Sequence, residues 1–127
     1  MAGVQRFEDW VAWQKARALT AEIYRISGSG VFQRDFALRD QVRRAAVSIM
    51  SNIAEGHERY SRIEFKRFLS IARGSAAEVR SQLYVALDLS YIDSATFGRL
   101  ANNCVEISRM IGRMHATVDR EQPDLDA

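Results

Sequence analysis

The residues best able to do chemistry in this chain are few and scattered. Two histidines, His57 and His115, fall in different segments, and the single cysteine, Cys104, lies among apolar neighbours. Nucleophilic catalysis needs a thiol, hydroxyl or amine beside a base, and a metal centre needs clustered His, Cys, Asp or Glu. Cys104 reads as a small buried hydrophobe, and each histidine as a lone surface or loop side chain. Bundles that hold two metal ions use carboxylates together with Glu-x-x-His pairs on facing helices. Glu55, Glu78 and Glu106 lie in separate segments, but no histidine stands three residues after any of them, and Glu55-Gly56-His57-Glu58 has the wrong spacing. No glycine-rich phosphate loop occurs either. The expectation is therefore no catalytic residue, no metal and no cofactor.

Two other patterns point to binding. The first is a polar thread: Gln41, Ser48, Asn52 and Glu55 recur near helical spacing, and Ser75, Glu78 and Gln82 do the same further on. Polar side chains aligned in this way either solvate a helix flank or hydrogen-bond between neighbouring helices, where they set register at some cost in stability. The second is basic. Arg39, Arg43 and Arg44 precede the thread, and Arg59, Arg62, Lys66, Arg67 and Arg73 follow it, with Tyr60, Phe65 and Phe68 interleaved. Arginine suits bidentate phosphate contacts, and aromatic rings stack on bases. The same charges also serve simply to solvate helix faces or to pair with Glu55, Glu58 and Glu64.

Four amphipathic helices must position these residues. Residues 8–27 carry Trp10, Val11, Trp13, Ala16, Leu19, Ile23 and Ile26 at spacings of three and four, and Gly28-Ser29-Gly30 supplies a left-handed stop. Residues 35–56 follow, with Asp35 as N-cap, a stripe of Leu38, Val42, Ala45, Ile49 and Ile53, and Gly56 as the end. The third helix opens with the capping box Ser61-Arg62-Ile63-Glu64 and runs through Phe65, Leu69, Ala72, Ala76, Val79 and Leu83. Within it, Gly74 costs about 1 kcal/mol relative to alanine unless close packing offsets it. The fourth, capped by Asp93 or Ser94, carries Phe97, Leu100, Cys104, Ile107, Ile111, Met114 and Val118. No segment alternates as a strand does. The fold class is all-α, an up-down-up-down four-helix bundle over residues 1–118, with an acidic, disordered tail at 119–127.

Composition agrees. With 127 residues, 47% hydrophobic and 27% charged, the chain suits a single globular domain and excludes wholesale disorder. The one proline, Pro123, lies in the tail, so long helices are unbroken. The net charge of +2 is unevenly spread: residues 34–80 hold ten basic and six acidic side chains, and residues 119–127 hold one and four. One cysteine, no apparent leader and no apolar run of membrane length place the expected compartment in the cytoplasm.

The sequence also resembles the four-helix bundle family named for open reading frames in intervening sequences of 23S ribosomal RNA genes. FEDWVAWQKA at 7–16, QVRRAAVSIMSNIAEG at 41–56 and FKRFLSIARGSAAEVRSQL at 65–83 carry the resemblance. Most specific are Arg43-Arg44-Ala45, Ser48-Ile49 and Asn52-Ile53-Ala54-Glu55-Gly56, joined by Gly74-Ser75, Glu78 and Gln82. Trp10 stands where the family more often has leucine, and Met50 where proline is common, which implies a straighter second helix. The resemblance turns the polar thread into an expected helix–helix or subunit contact. It implies a homo-oligomeric ring, with five subunits favoured, and the family is similar to the accessory variability determinant of diversity-generating retroelements. That protein is a basic ring that binds a reverse transcriptase and nucleic acid.

Taken together, these readings predict a non-enzymatic, homo-oligomeric binding module. It would contact RNA or a ribonucleoprotein partner through Arg39, Arg43, Arg44, Arg59, Arg62, Lys66, Arg67 and Arg73. The alternative is a structural, protein-interacting bundle without nucleic-acid affinity. In that version the thread and aromatics such as Trp13 and Tyr84 serve subunit contacts, and the arginines pair with neighbouring acids.

Overall fold

Ala12, Ala16, Leu19, Ile23 and Ser27 recur every three or four residues, so helix α1 (Val11–Ser27) buries a single narrow stripe. A computed structural model describes residues 4–120. A 3-10 turn, Phe7–Asp9, precedes α1 and takes up the acidic residues that the sequence places inside the helix. Within the expected Gly28-Ser29-Gly30 stop, Gly28 has φ −97° and the left-handed residue is Gly30, with φ +63°. Gly30 opens a short helix, α2 (Gly30–Arg34), inside what reads as a plain connection. The reason is Phe32, which is 2% exposed and stacks on Tyr91 at 5.2 Å, plugging one end of the core.

Asp35 caps α3 (Phe36–Glu58), its Oδ1 accepting the Leu38 amide at 3.1 Å. Its other oxygen accepts the Tyr91 hydroxyl at 2.9 Å, so one carboxylate also ties down the last inter-helix connection. Helix α3 does not stop at Gly56 but runs two residues further, to Glu58, unbroken past Met50. Gly56 instead permits close approach: a Cβ there would lie 2.7 Å from Phe68 Cβ and 3.1 Å from Phe65 Cδ1.

Helix α4 (Arg62–Asp88) begins at Ser61, whose Oγ accepts the Glu64 amide at 3.3 Å. The reciprocal half of the capping box is displaced, because the Glu64 carboxylate takes the Arg67 guanidinium at 3.0 and 3.2 Å. At Gly74 an added Cβ would meet nothing within 4 Å, so no packing within the chain offsets its helix penalty. The helix ends with Ser90 at φ +60°, its N–H donating to Leu87 O at 3.0 Å while Tyr91 N–H donates to Ala86 O at 2.8 Å. This is a Schellman stop built on serine at the position glycine usually fills. Asp93, not Ser94, caps α5 (Ser94–Arg120), accepting the Thr96 amide at 2.8 Å. That bond holds the Asp93 carboxyl below its ordinary range.

Helix α3 packs against α1 and α4, and α5 closes the ring against α4 and α1. The result is an up-down-up-down four-helix bundle with α2 as an added plug. Its centre comprises Leu19, Ile23, Ile49, Ile53, Leu69, Val79, Leu83, Leu100, Ile107 and Ile111, all buried. There is no strand among the described residues, and none of their helices is long and apolar enough to cross a membrane. The last helix extends to Arg120, past the expected boundary at 118; the rest of the acidic tail, residues 121–127, lies outside the described residues.

Two substitutions test the backbone assignments by chemical denaturation. Gly56→Ala should lose about 1–3 kcal/mol, because its Cβ meets α4 side chains that have little room to withdraw. Ser90→Gly should gain up to about 1 kcal/mol by relieving the left-handed strain.

Candidate functional site

The polar thread divides when folded. Ser48 Oγ and Ser75 Oγ lie 2.8 Å apart across the α3–α4 seam, and Asn52 Nδ2 donates to Ser48 Oγ at 2.9 Å and to Ser48 O at 2.8 Å. Ser75 is only 4% exposed, so its hydroxyl needs this partner. Gln41, Glu78 and Gln82 join these serines and Arg44 around an open polar groove between α3 and α4. Gln82 Oε1 is buried there without a hydrogen-bond partner among the described residues. Glu55 leaves the thread: it pairs with Arg59 at 2.8 Å one turn on. Val47, Ile71 and Val85 stand exposed on the same two helices.

Most of the expected basic surface is engaged within the chain. Arg43 Nε donates to Ser27 Oγ at 2.8 Å and its Nη2 to Tyr24 O at 3.3 Å, while the guanidinium stacks on Tyr24 at 4.5 Å. It is a clamp between α1 and α3. Arg39 holds Asp40 and Gln33 O, at 3.0 and 3.1 Å, and Arg59 and Arg67 both lie over Phe68. Lys66 pairs with Asp119 and, as its hydrogen-bond donor, holds that carboxyl below the usual range. Arg73 reaches α5, donating to Ser108 Oγ at 3.2 Å. Arg62, half-buried at the start of α4, is not free either. Of the eight, only Arg44 has no hydrogen bond or ion pair to a described residue.

Five exposed arginines outside that set share this property: Arg17 on α1, Arg34 on α2, Arg80 on α4, and Arg109 and Arg113 on α5. Arg109 and Arg113 lie beyond the basic stretch at residues 34–80, and Arg80 lies at its far end, away from the QVRR segment. Their signal was available in the 109/113 spacing, which puts both on one helix face.

The aromatic and histidine positions also shift meaning. Trp10 Nε1–H donates to His57 Nδ1 at 3.0 Å, and Trp10 packs on Phe65 at 5.8 Å. His57 Nδ1 thus accepts, leaving Nε2–H to donate to Gln5 O at 3.2 Å. His57, expected as a lone surface or loop side chain, is a half-buried helix residue that fastens the N-terminal segment. Trp13 meets Phe7 edge-on at 5.2 Å, whereas Tyr84 stays exposed beside Phe97 at 4.7 Å. Burial pushes the Cys104 thiol up to about 12, so it is neutral and unreactive at physiological pH. No three His, Cys, Asp or Glu side chains cluster among the described residues.

These features define a class: all-helical bundles joined by a hydrogen-bonded polar seam between two central helices. The chain belongs to the 23S rRNA-intervening sequence protein family, whose model matches residues 8–113. It is similar to the crystal structure of a protein of unknown function from the S23 ribosomal protein family of Bacteroides thetaiotaomicron. The TM-score is 0.76 at 25% identity, covering 83% of this chain and 98% of that one. No curated protein is significantly similar to the chain.

The neighbouring arginines give a sharp contrast. Arg43→Ala should lower stability by about 1–2 kcal/mol through the lost clamp, whereas Arg44→Ala should stay within about 0.5 kcal/mol of the parent in urea unfolding.

Proposed function

We propose that this protein is a non-enzymatic, self-associating module that binds RNA or a ribonucleoprotein partner. The observation that carries the reading is the set of exposed arginines on α3, α4 and α5 left without an intramolecular partner: Arg44, Arg80, Arg109 and Arg113. Most other basic side chains of the long helices are tied to acids, carbonyls or rings, so these four hold positive charge available to a polyanion. The family's name, which links it to 23S ribosomal RNA loci, supports the same partner class.

Self-association draws support from the α3–α4 face. Its groove holds the unpaired Gln82 carbonyl, and the same two helices expose Val47, Ile71 and Val85 and leave open space at Gly74. A second copy seated there would satisfy the buried acceptor and cover the apolar side chains. A five-membered ring is the assembly the family resemblance favours.

Titrating structured RNA at two salt concentrations tests the binding. With four phosphate contacts, a fourfold rise in salt should weaken binding by roughly 50- to 150-fold by counterion release, from single-stranded to fully paired RNA. Absence of binding at the lower salt overturns the RNA reading and leaves the structural, protein-interacting bundle. A solution mass equal to one chain overturns self-association.

A further inference from the structure

We infer that the RNA-binding surface is a trough between α4 and α5, with Arg80 and Arg109 gripping the phosphate backbone. The inference rests on the RNA reading above and moves the site away from α3. Arg80 and Arg109 line one hollow of this trough, together with Ala76, Ala77 and Ser108. A second hollow lies beside Ser70, Gly112 and Ala116. Arg73 lies where the two meet. Its guanidinium bonds Ser108 and would sit 3.5 Å from a Cβ added at Gly112. From Arg73 to Arg80 is seven helical residues, about 10 Å along α4.

The charge balance of the trough is one-sided. Its first hollow has no acidic lining residue, and the second has one, Asp119, which Lys66 holds. Helix α5 contains two acids, and both are engaged: Glu106 with Lys15 of α1 at 3.0 Å, and Asp119 with Lys66. Arg109 and Arg113 are therefore uncompensated on the outward face of α5. Ala76, Ala77 and Ser108 in the first hollow and Ser70, Gly112 and Ala116 in the second are small, so a sugar–phosphate strand can approach the helices there closely enough for both arginine rims to reach it. The α3–α4 groove differs in charge, since Glu78 shares it with Arg44.

The test compares two double variants that remove the same charge. Arg80→Ala/Arg109→Ala strips the trough, and Arg17→Ala/Arg34→Ala removes two exposed arginines of α1 and α2 that make no hydrogen bond or ion pair to a described residue. Each is titrated with a fluorescein-labelled single-stranded RNA from 50 to 200 mM salt, after circular dichroism and solution mass confirm that fold and assembly match the parent. The trough variant should bind roughly 10- to 30-fold more weakly near 0.1 M salt. Its log–log salt slope should be shallower by roughly 1.4, the signature of two lost phosphate contacts. The control should change by less than about threefold, and Arg80→Lys/Arg109→Lys should keep most of the slope.

Parental RNA binding with equal losses in the two double variants, or a loss confined to the control, overturns the trough. No RNA binding by the parent at 50 mM salt overturns the function itself, a distinct result. A trough variant that fails to fold is replaced by charge reversal at Arg109 alone, Arg109→Glu. That change should weaken binding at least as much as the double truncation, and parental affinity would overturn the site.

Discussion

The α3–α4 seam is the constraint on which the other packing depends. At one end Gly56 lets the α3 backbone press against Phe65 and Phe68, and two turns earlier Ser48 meets Ser75 hydroxyl to hydroxyl. The close approach sets the distance between the helices, while the directional bond sets their register, because a shift by one turn would leave Ser75 buried without a partner. With those two helices fixed, α1 and α5 need only lay apolar stripes on the exposed sides of the pair. The lateral joints of α1 are then made by longer, more adjustable groups: Arg43 toward α3, and Lys15 with Glu106 and Arg99 with Glu22 toward α5.

This arrangement explains which parts of the fold are legible in the sequence. The stripes of all four long helices follow from three- and four-residue spacing, and Asp35 and Ser61 mark two starts through local hydrogen bonds. Glycines are harder to read. Gly56 looks like a terminator because a glycine near the end of a pattern usually is one, yet its role is tertiary and depends on phenylalanines nine and twelve residues away. The short helix α2 is hidden for a similar reason: only Phe32 docking on Tyr91, far along the chain, makes those five residues worth ordering.

The same boundary runs through the candidate site. Pairs one turn apart, Arg59 with Glu55 and Arg67 with Glu64, are visible as spacings. Arg43 on Ser27, Lys66 on Asp119 and Arg73 on Ser108 are not, since each crosses between helices. A basic cluster read from composition therefore overstates the charge a partner meets. The seam residues Ser48, Asn52 and Ser75 were recoverable because the helical spacing of polar residues on two segments already implied facing rows.

The location of Cys104 has a practical consequence. It is the sole cysteine, it is 1% exposed, and it lies beneath the wall that α4 and α5 share. Alkylating reagents attack the thiolate, and a buried neutral thiol offers none until the two helices part. The modification rate in the native protein thus acts as a clock for separation of this one seam, without any engineered probe. A polymer that bridges both helices would slow that clock, and one that touches α3 alone would leave it running at its usual pace.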